Sequence, residues 1–141
     1  MNLGEQFSSE VVTADPTETI AVVVDKMDLH DVGAVVVVED RKVVGIVTDR
    51  DVALSLGRAS VQSDAPVSQI MTKPVLTIWE DQGVFNATQY LMGRKVRRLP
   101  IVNRDNELVG MVTLDDLTAL LAQEMANLGK AVAPALAQKA Y

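Results

Sequence analysis

Val44-Gly45-Ile46-Val47-Thr48-Asp49-Arg50-Asp51-Val52 recurs 65 positions later as Val109-Gly110-Met111-Val112-Thr113-Leu114-Asp115-Asp116-Leu117. An internal repeat of this kind decides the fold before any single element does. Upstream, Val11-Val12-Thr13 recurs as Val75-Leu76-Thr77 at a spacing of 64, so the second copy holds one extra residue. The polar turn Asn103-Arg104-Asp105-Asn106 is its natural place. Even the lead-ins correspond, with Leu3 and Phe7 matching Val67 and Met71.

Each copy reads in the same order: strand, helix, strand, strand, helix. A short β-rich piece opens it, at Val11 to Thr13 and Val75 to Ile78. The first helix places Ile20, Val23, Val24 and Met27 on one face in copy one, and Val84, Thr88 and Leu91 in copy two. These are helical spacings. The β-branched run Val22 to Val24 alone would suit a strand, since such residues are stiff in helices. The parallel with copy two decides for helix. Two apolar strands follow around a polar turn: Ala34 to Val38 then Val43 to Val47, and Leu99 to Val102 then Leu108 to Val112. Asp40-Arg41-Lys42 is the hairpin-like turn of the first pair. The second helix starts near Thr48 and near Thr113. Ala34 to Val38 is apolar without alternation, which implies a strand covered on both faces. One unit has too few elements to bury that surface alone. Two units packed together complete a core.

The limits divide the chain into a first repeat at 1–62, a second at 63–124 and an Ala-rich tail at 125–141. Gly57 to Pro66 is a polar linker. Leu117, Leu120, Leu121, Met125 and Leu128 carry the last helix to about Gly129, and Pro134 is expected to interrupt it.

Composition narrows function. The 141 residues carry a net charge of −6, which supplies no field for a phosphate backbone and argues against nucleic-acid binding. With no cysteine there is no disulfide framework, thiolate zinc site or cysteine nucleophile. No signal peptide is visible at Met1 to Ser9, and Gly33 to Val38 is far shorter than the ~18 apolar residues a membrane span needs. A cytoplasmic protein is the default expectation.

The repeat resembles the cystathionine-β-synthase (CBS) domain family. The pieces that carry the resemblance are Gly-Ile-Val-Thr-Asp-Arg-Asp at 45–51, Gly-Met-Val-Thr-Leu-Asp-Asp at 110–116, Val-Arg-Arg-Leu-Pro-Ile-Val at 96–102 and Ile-Met-Thr-Lys-Pro-Val at 70–75. It covers residues 3 to about 122. It implies an α+β fold, two pseudo-symmetric repeats packed sheet to sheet as one Bateman-type module. It also implies dimerisation of the chain, clefts for adenosine-containing ligands, and regulation of a protein partner acting in trans. AMP, ADP, ATP, S-adenosylmethionine and dinucleotides stand as alternatives, with magnesium accompanying a polyphosphate. No obligatory cofactor is implied. Copy one departs from the pattern. Gly33-Ala34-Val35-Val36 stands where copy two has Arg97-Arg98-Leu99-Pro100, and Ser8-Ser9-Glu10 replaces Thr72-Lys73-Pro74. The two clefts should be chemically unequal.

Candidate binding residues follow from their chemistry. Thr48 with Asp51, and Thr113 with Asp116, approximate helix capping boxes. The same carboxylates, acceptor-only, could hold the two hydroxyls of a ribose, beside helix N–H groups that favour phosphate. A phosphate held near that carboxylate needs a cation on its far side. Arg98 with Arg97 at the start of a buried strand is the best candidate, and Arg50 and Lys73 are weaker ones. Arg94 and Lys95 read as a cationic helix end. Thr13 and Thr77 end the first strands, where the resemblance places an adenine pocket. His30 reads as a helix-end residue, and Trp79 as core or interface packing.

Catalysis finds no support. There is no Gly-rich phosphate loop, His pair or Ser/His/Asp set with usable spacing. Asp115 and Asp116 are adjacent in a helix and point in different directions. The rival to ligand sensing is a ligand-free dimerisation or partner-docking scaffold.

Overall fold

A computed structural model describes the backbone of residues 1–139 and the side chains of residues 1–133. The elements run α1 (Leu3–Phe7), β1 (Thr13–Ala14), α2 (Ile20–His30), β2 (Ala34–Glu39), β3 (Lys42–Thr48), α3 (Asp49–Gly57), a 3-10 turn (Val67–Gln69), β4 (Ile78–Trp79), α4 (Val84–Leu91), β5 (Arg98–Val102), β6 (Leu108–Thr113) and α5 (Leu114–Lys139). The expected strand, helix, strand, strand, helix order is present twice. The fold is α+β, with two three-stranded sheets ordered β1-β2-β3 and β4-β5-β6. In each, the outer first strand is parallel to the middle one and the last is antiparallel.

Local chemistry sets the element ends. Asp40 and Arg41 both have positive φ (51° and 67°), the conformation a two-residue hairpin turn needs to match strand twist. Val38 pairs with Val43 across four residues and the equivalent Val102 with Leu108 across five, so the extra residue of the second copy lies in that connection. Thr19 caps α2 by accepting from the Val22 N–H, and Asp31 ends that helix in the left-handed region. Along α2, Ile20, Val23 and Met27 are buried, but Val24 is exposed. The apolar stripe is therefore narrower than its valines suggest.

The first strands are shorter and later than Val11–Thr13 and Val75–Ile78. β1 pairs only through Thr13 and Ala14, and β4 only through Ile78 and Trp79. Ahead of them, Val11 and Val75 pack in the cluster between the two sheets. The last helix also departs from expectation, since α5 continues through position 134 to Lys139. A proline removes one donor from the helical ladder. Alanines at 131, 133, 135 and 137, the best helix formers, hold the chain helical on either side. Tyr141 and the residue before it lie outside the described residues. Trp79 is not core. It is half-exposed, with the Arg104 guanidinium 3.8 Å above its ring and Arg104 bonded to Asp81 at 2.7 Å.

Three apolar clusters make the core. One belongs to the first sheet and its helices and includes Ile20, Val23, Val35, Val37 and Val47. One belongs to the second and includes Ile78, Leu99, Ile101, Val112 and Leu117. The third joins the sheets, packing Val36 and Val43 with Val102 and, around them, Val11, Val75, Leu108 and Met111. β2 is thereby covered on both faces, as its unbroken apolar run requires.

The lead-ins cross over. Leu3, fully buried, completes the second repeat's cluster, and the Leu3 and Gly4 N–H groups bond the carbonyls of Gln82 and Glu80 at 2.8 and 2.9 Å. Val67 completes the first repeat's cluster, and Thr72 bridges to Ile46 on β3. Ser8 makes the equivalent bridge to Gly110 on β6. The repeated glycines explain how the segments fit. A Cβ on Gly45 would collide with the Met71 side chain, and one on Gly110 with the Phe7 backbone carbonyl.

The two collisions differ in kind. A methionine side chain can move aside, whereas the Phe7 carbonyl can move only with the backbone that carries it. Gly110→Ala should cost roughly 2–3 kcal/mol, and Gly45→Ala about 1 kcal/mol, within the range for inserted methyl groups. Urea denaturation of the two variants measures both. Equal midpoints would show that the crossover does not constrain the lead-in backbone.

Candidate nucleotide-binding clefts

Among the cavities where the repeats meet, two are built from equivalent pieces of both. The first, about 410 Å³, is lined by Ile46, Thr48, Asp49, Arg50, Asp51 and Leu54 of the first repeat. The second repeat supplies Thr72, Lys95, Val96, Arg97 and Arg98. The second cleft, about 280 Å³, takes Met111, Thr113 and Arg98 from one side. Its other wall is Ser9, Glu10, Val11, Val12, Val32, Gly33 and Ala34. Met111 answers Ile46, Thr113 answers Thr48, and Val32-Gly33-Ala34 answers Val96-Arg97-Arg98.

The crossover places these groups. Because Thr72 bridges to Ile46, the polypeptide leading into the second repeat forms one wall beside α3. Because Arg98 pairs with Thr113 in the β5–β6 ladder and the Leu114 N–H bonds the Arg97 carbonyl at 2.8 Å, both arginines are fixed at the start of α5. Asp49 and Gly33 repeat that bond in the first copy at 3.0 Å.

Both capping boxes form. The Thr48 hydroxyl accepts from the Asp51 N–H at 3.2 Å, and one Asp51 carboxylate oxygen accepts from the Thr48 N–H at 2.9 Å. Thr113 and Asp116 do the same, both at 3.0 Å. The structural role of these pairs is therefore real. It uses a single oxygen of each carboxylate. The second Asp51 oxygen has no protein partner among the described residues, and Asp51 lines the cleft.

Charge separates the two clefts. The first gathers Arg50, Lys95, Arg97 and Arg98 against Asp49 and Asp51. Arg97 also bonds Asp115 at 3.2 Å on the exposed rim. Arg98 has no ion pair among the described residues. Its guanidinium reaches toward the first repeat, where Nη2 would lie 3.2 Å from a Cβ built on Gly33. The Asp49 carboxylate lies as near, at 3.1 Å, so a side chain at position 33 would press on both charged groups. Among the described residues, the second cleft offers Arg98 as its only cation and adds the carboxylate of Glu10.

Two CBS domains are matched along the chain, over residues 5–58 and 67–123. The chain belongs to the CBS-domain family. It is 35% identical to the CBS domain-containing protein YhcV of Bacillus subtilis over 80% of either chain. It is 34% identical to an uncharacterised protein of Methanopyrus kandleri, over 83% of this chain and 61% of that one. Among solved structures, the CBS domain pair of protein MJ0100, in complex with 5′-methylthioadenosine and S-adenosyl-L-methionine, superposes with a TM-score of 0.77. It shares 25% identity, over 88% of this chain and 98% of that one.

Thr48, Arg50, Asp51, Arg97 and Arg98, all singled out in the CBS-pair sequence, come together in the first cleft. Thr113 lies in the second. Thr13 lies in neither; it lines a groove with Glu10, Val11, Lys26 and His30, and a third cavity between the repeats, about 480 Å³, with Arg41, Asn103 and Glu107. Thr77 and Asp116 are outside the lining of both clefts, as is Lys73. Lys95 is the missed cation: it reads as a helix-end charge, but α4 stops at Leu91 and the chain carries Lys95 on into the cleft. Thr72 and Ile46 were also missed. Their repeat equivalence to Ser8 and Met111 is the signal that could have found them.

Thr48→Ala should lower stability by about 1 kcal/mol, the usual worth of an N-cap hydroxyl, and Thr48→Ser should restore most of it. Denaturant titration reads the difference; an unchanged midpoint in the alanine variant would leave the box without energetic weight.

Proposed function

We propose that this CBS pair is a non-enzymatic, cytoplasmic regulatory module that senses an adenosine-containing nucleotide in its first cleft. It signals to a partner protein in trans as a homodimer. One observation carries the reading: a carboxylate of one repeat, Asp51, and the arginines of the other, Arg97 and Arg98, line the same cavity. Its volume suits a small ligand. The free Asp51 oxygen is an acceptor for a ribose diol. Arg98, with Lys95 and Arg50, supplies charge-assisted donors for phosphate. The MJ0100 domain pair, similar in fold, holds adenosine compounds. Four cations in the first cleft favour a phosphorylated nucleotide over S-adenosylmethionine, whose sulfonium is itself positive. The second cleft, with Glu10 where copy two has Pro74, is the weaker site.

Signalling follows from the shared construction. A nucleotide touching Asp51 and Arg98 makes contacts in both repeats. It therefore favours whichever arrangement of the repeats presents these groups together, and shifts the population toward it.

AMP should raise the melting temperature of the parent protein by mass action. Arg98→Ala removes a charge-assisted contact of about 1.5–3 kcal/mol, a tenfold to hundredfold loss of affinity. Asp51→Ala should weaken AMP more than its 2′,3′-dideoxy analogue. Titration calorimetry on the parent and both variants measures these effects. Equal affinity in all three would make Asp51 and Arg98 purely structural; no binding by any adenine nucleotide would leave the docking-scaffold reading in its place.

A further inference from the structure

The matched CBS domains end at residue 123, yet α5 continues to Lys139, about 24 Å of helix beyond the repeat at the usual rise per residue. Its first turns are anchored by Leu117, which is buried. Past that point Leu121, Met125, Leu128 and Val132 are 42%, 68%, 61% and 51% exposed. They are spaced four, three and four residues apart, the interval that keeps one stripe facing a partner helix along a left-handed pair. Beside the stripe run Ala122, Ala126, Gly129 and Ala133, at the same spacing. A Cβ at Gly129 would meet nothing within 4 Å. Small residues flanking a bulky stripe let a second helix approach closely.

Charge and area identify the occupant. The chain as a whole carries −6, so two copies repel across most of their surfaces. From Leu117 to Ala133 the helix holds one acid, Glu124, and one base, Lys130. This is a net-neutral stretch where a second acidic copy can approach without that cost. The four large side chains expose on the order of 400 Å² together, the size at which an apolar patch marks an interaction site. Doubled by an identical stripe it reaches about 800 Å² of large apolar side chain, and the small and polar flanks of both helices extend the contact toward the roughly 1,200 Å² at the lower edge of stable interfaces.

We propose that α5 beyond the second repeat is a dimerisation helix, and that a second copy of the same helix covers Leu121, Met125, Leu128 and Val132. The inference rests on the homodimer reading above and assigns its surface. It does not depend on the nucleotide.

Sedimentation of the full chain at micromolar concentrations tests it. The parent should dimerise, and the Met125→Glu/Leu128→Glu double variant should dissociate with a dissociation constant raised at least about tenfold. Both side chains are exposed, so the variant should keep the parent's circular dichroism. Mixing Leu128→Glu with Leu128→Lys protein should restore dimers that neither forms alone. Phe85→Glu, on the exposed face of α4, should leave the dimer intact. A parent that stays monomeric would remove the homodimer reading altogether. A dimer that survives the double variant, or that Phe85→Glu breaks instead, would keep that reading and overturn the assignment to α5.

Discussion

Everything in this molecule depends on an exchange of lead-ins. Neither repeat closes its own core. Leu3, at the start of the chain, fills the cluster of the second repeat, and Val67, just past the linker, fills that of the first. The exchange is possible because β3 and β6 each carry a glycine, Gly45 and Gly110, at the point of contact. It presses the two sheets together through Val36, Val43 and Val102. It also brings Thr72 alongside Ile46, which puts residues from both repeats into one cavity. The candidate cleft is thus a by-product of how the core is closed.

Within that frame, the repeats have kept their skeleton and let their charges drift. The capping boxes at Thr48 and Thr113 are equivalent to within tenths of an ångström, as are the bonds that tie Gly33 to Asp49 and Arg97 to Leu114. These contacts hold helix starts in place, and a change there would cost stability in either copy. The residues between them face the clefts and are free to differ. Glycine at position 33 opposite an arginine at position 98 is the main result. One guanidinium lies against the place a side chain would take, and the two clefts cease to be copies of each other.

Much of this was legible in the residues. Repetition exposed the order of elements, and Thr-x-x-Asp twice over marked both helix starts. Asp51 and Arg98 could be named because each is a charged residue at an element boundary. What escaped notice was non-local. Val11 and Val75 look like strand residues, yet their neighbours beyond the sheet make contacts with the opposite repeat. Periodicity within one segment cannot report that. Lys95 was read with the helix before it, though α4 stops at Leu91. Trp79 reads as core or interface packing; short β4 leaves it out of the core, at the surface under Arg104. Pro134 signals a break, and the alanines around it sustain the helix regardless.

The lead-in exchange also bears on how such a chain could arise. A lone repeat carrying its own lead-in has one segment to offer and one core to close, and in this chain each segment closes the core of the other repeat. Two separate molecules would satisfy each other by trading arms. Joining them through a stretch such as 57–66 turns that meeting into an intramolecular one, at high effective concentration. Duplication followed by fusion therefore requires no new contact. Once joined, the halves are no longer bound to be identical, and a mutation such as glycine for arginine at one strand start can persist in one half alone.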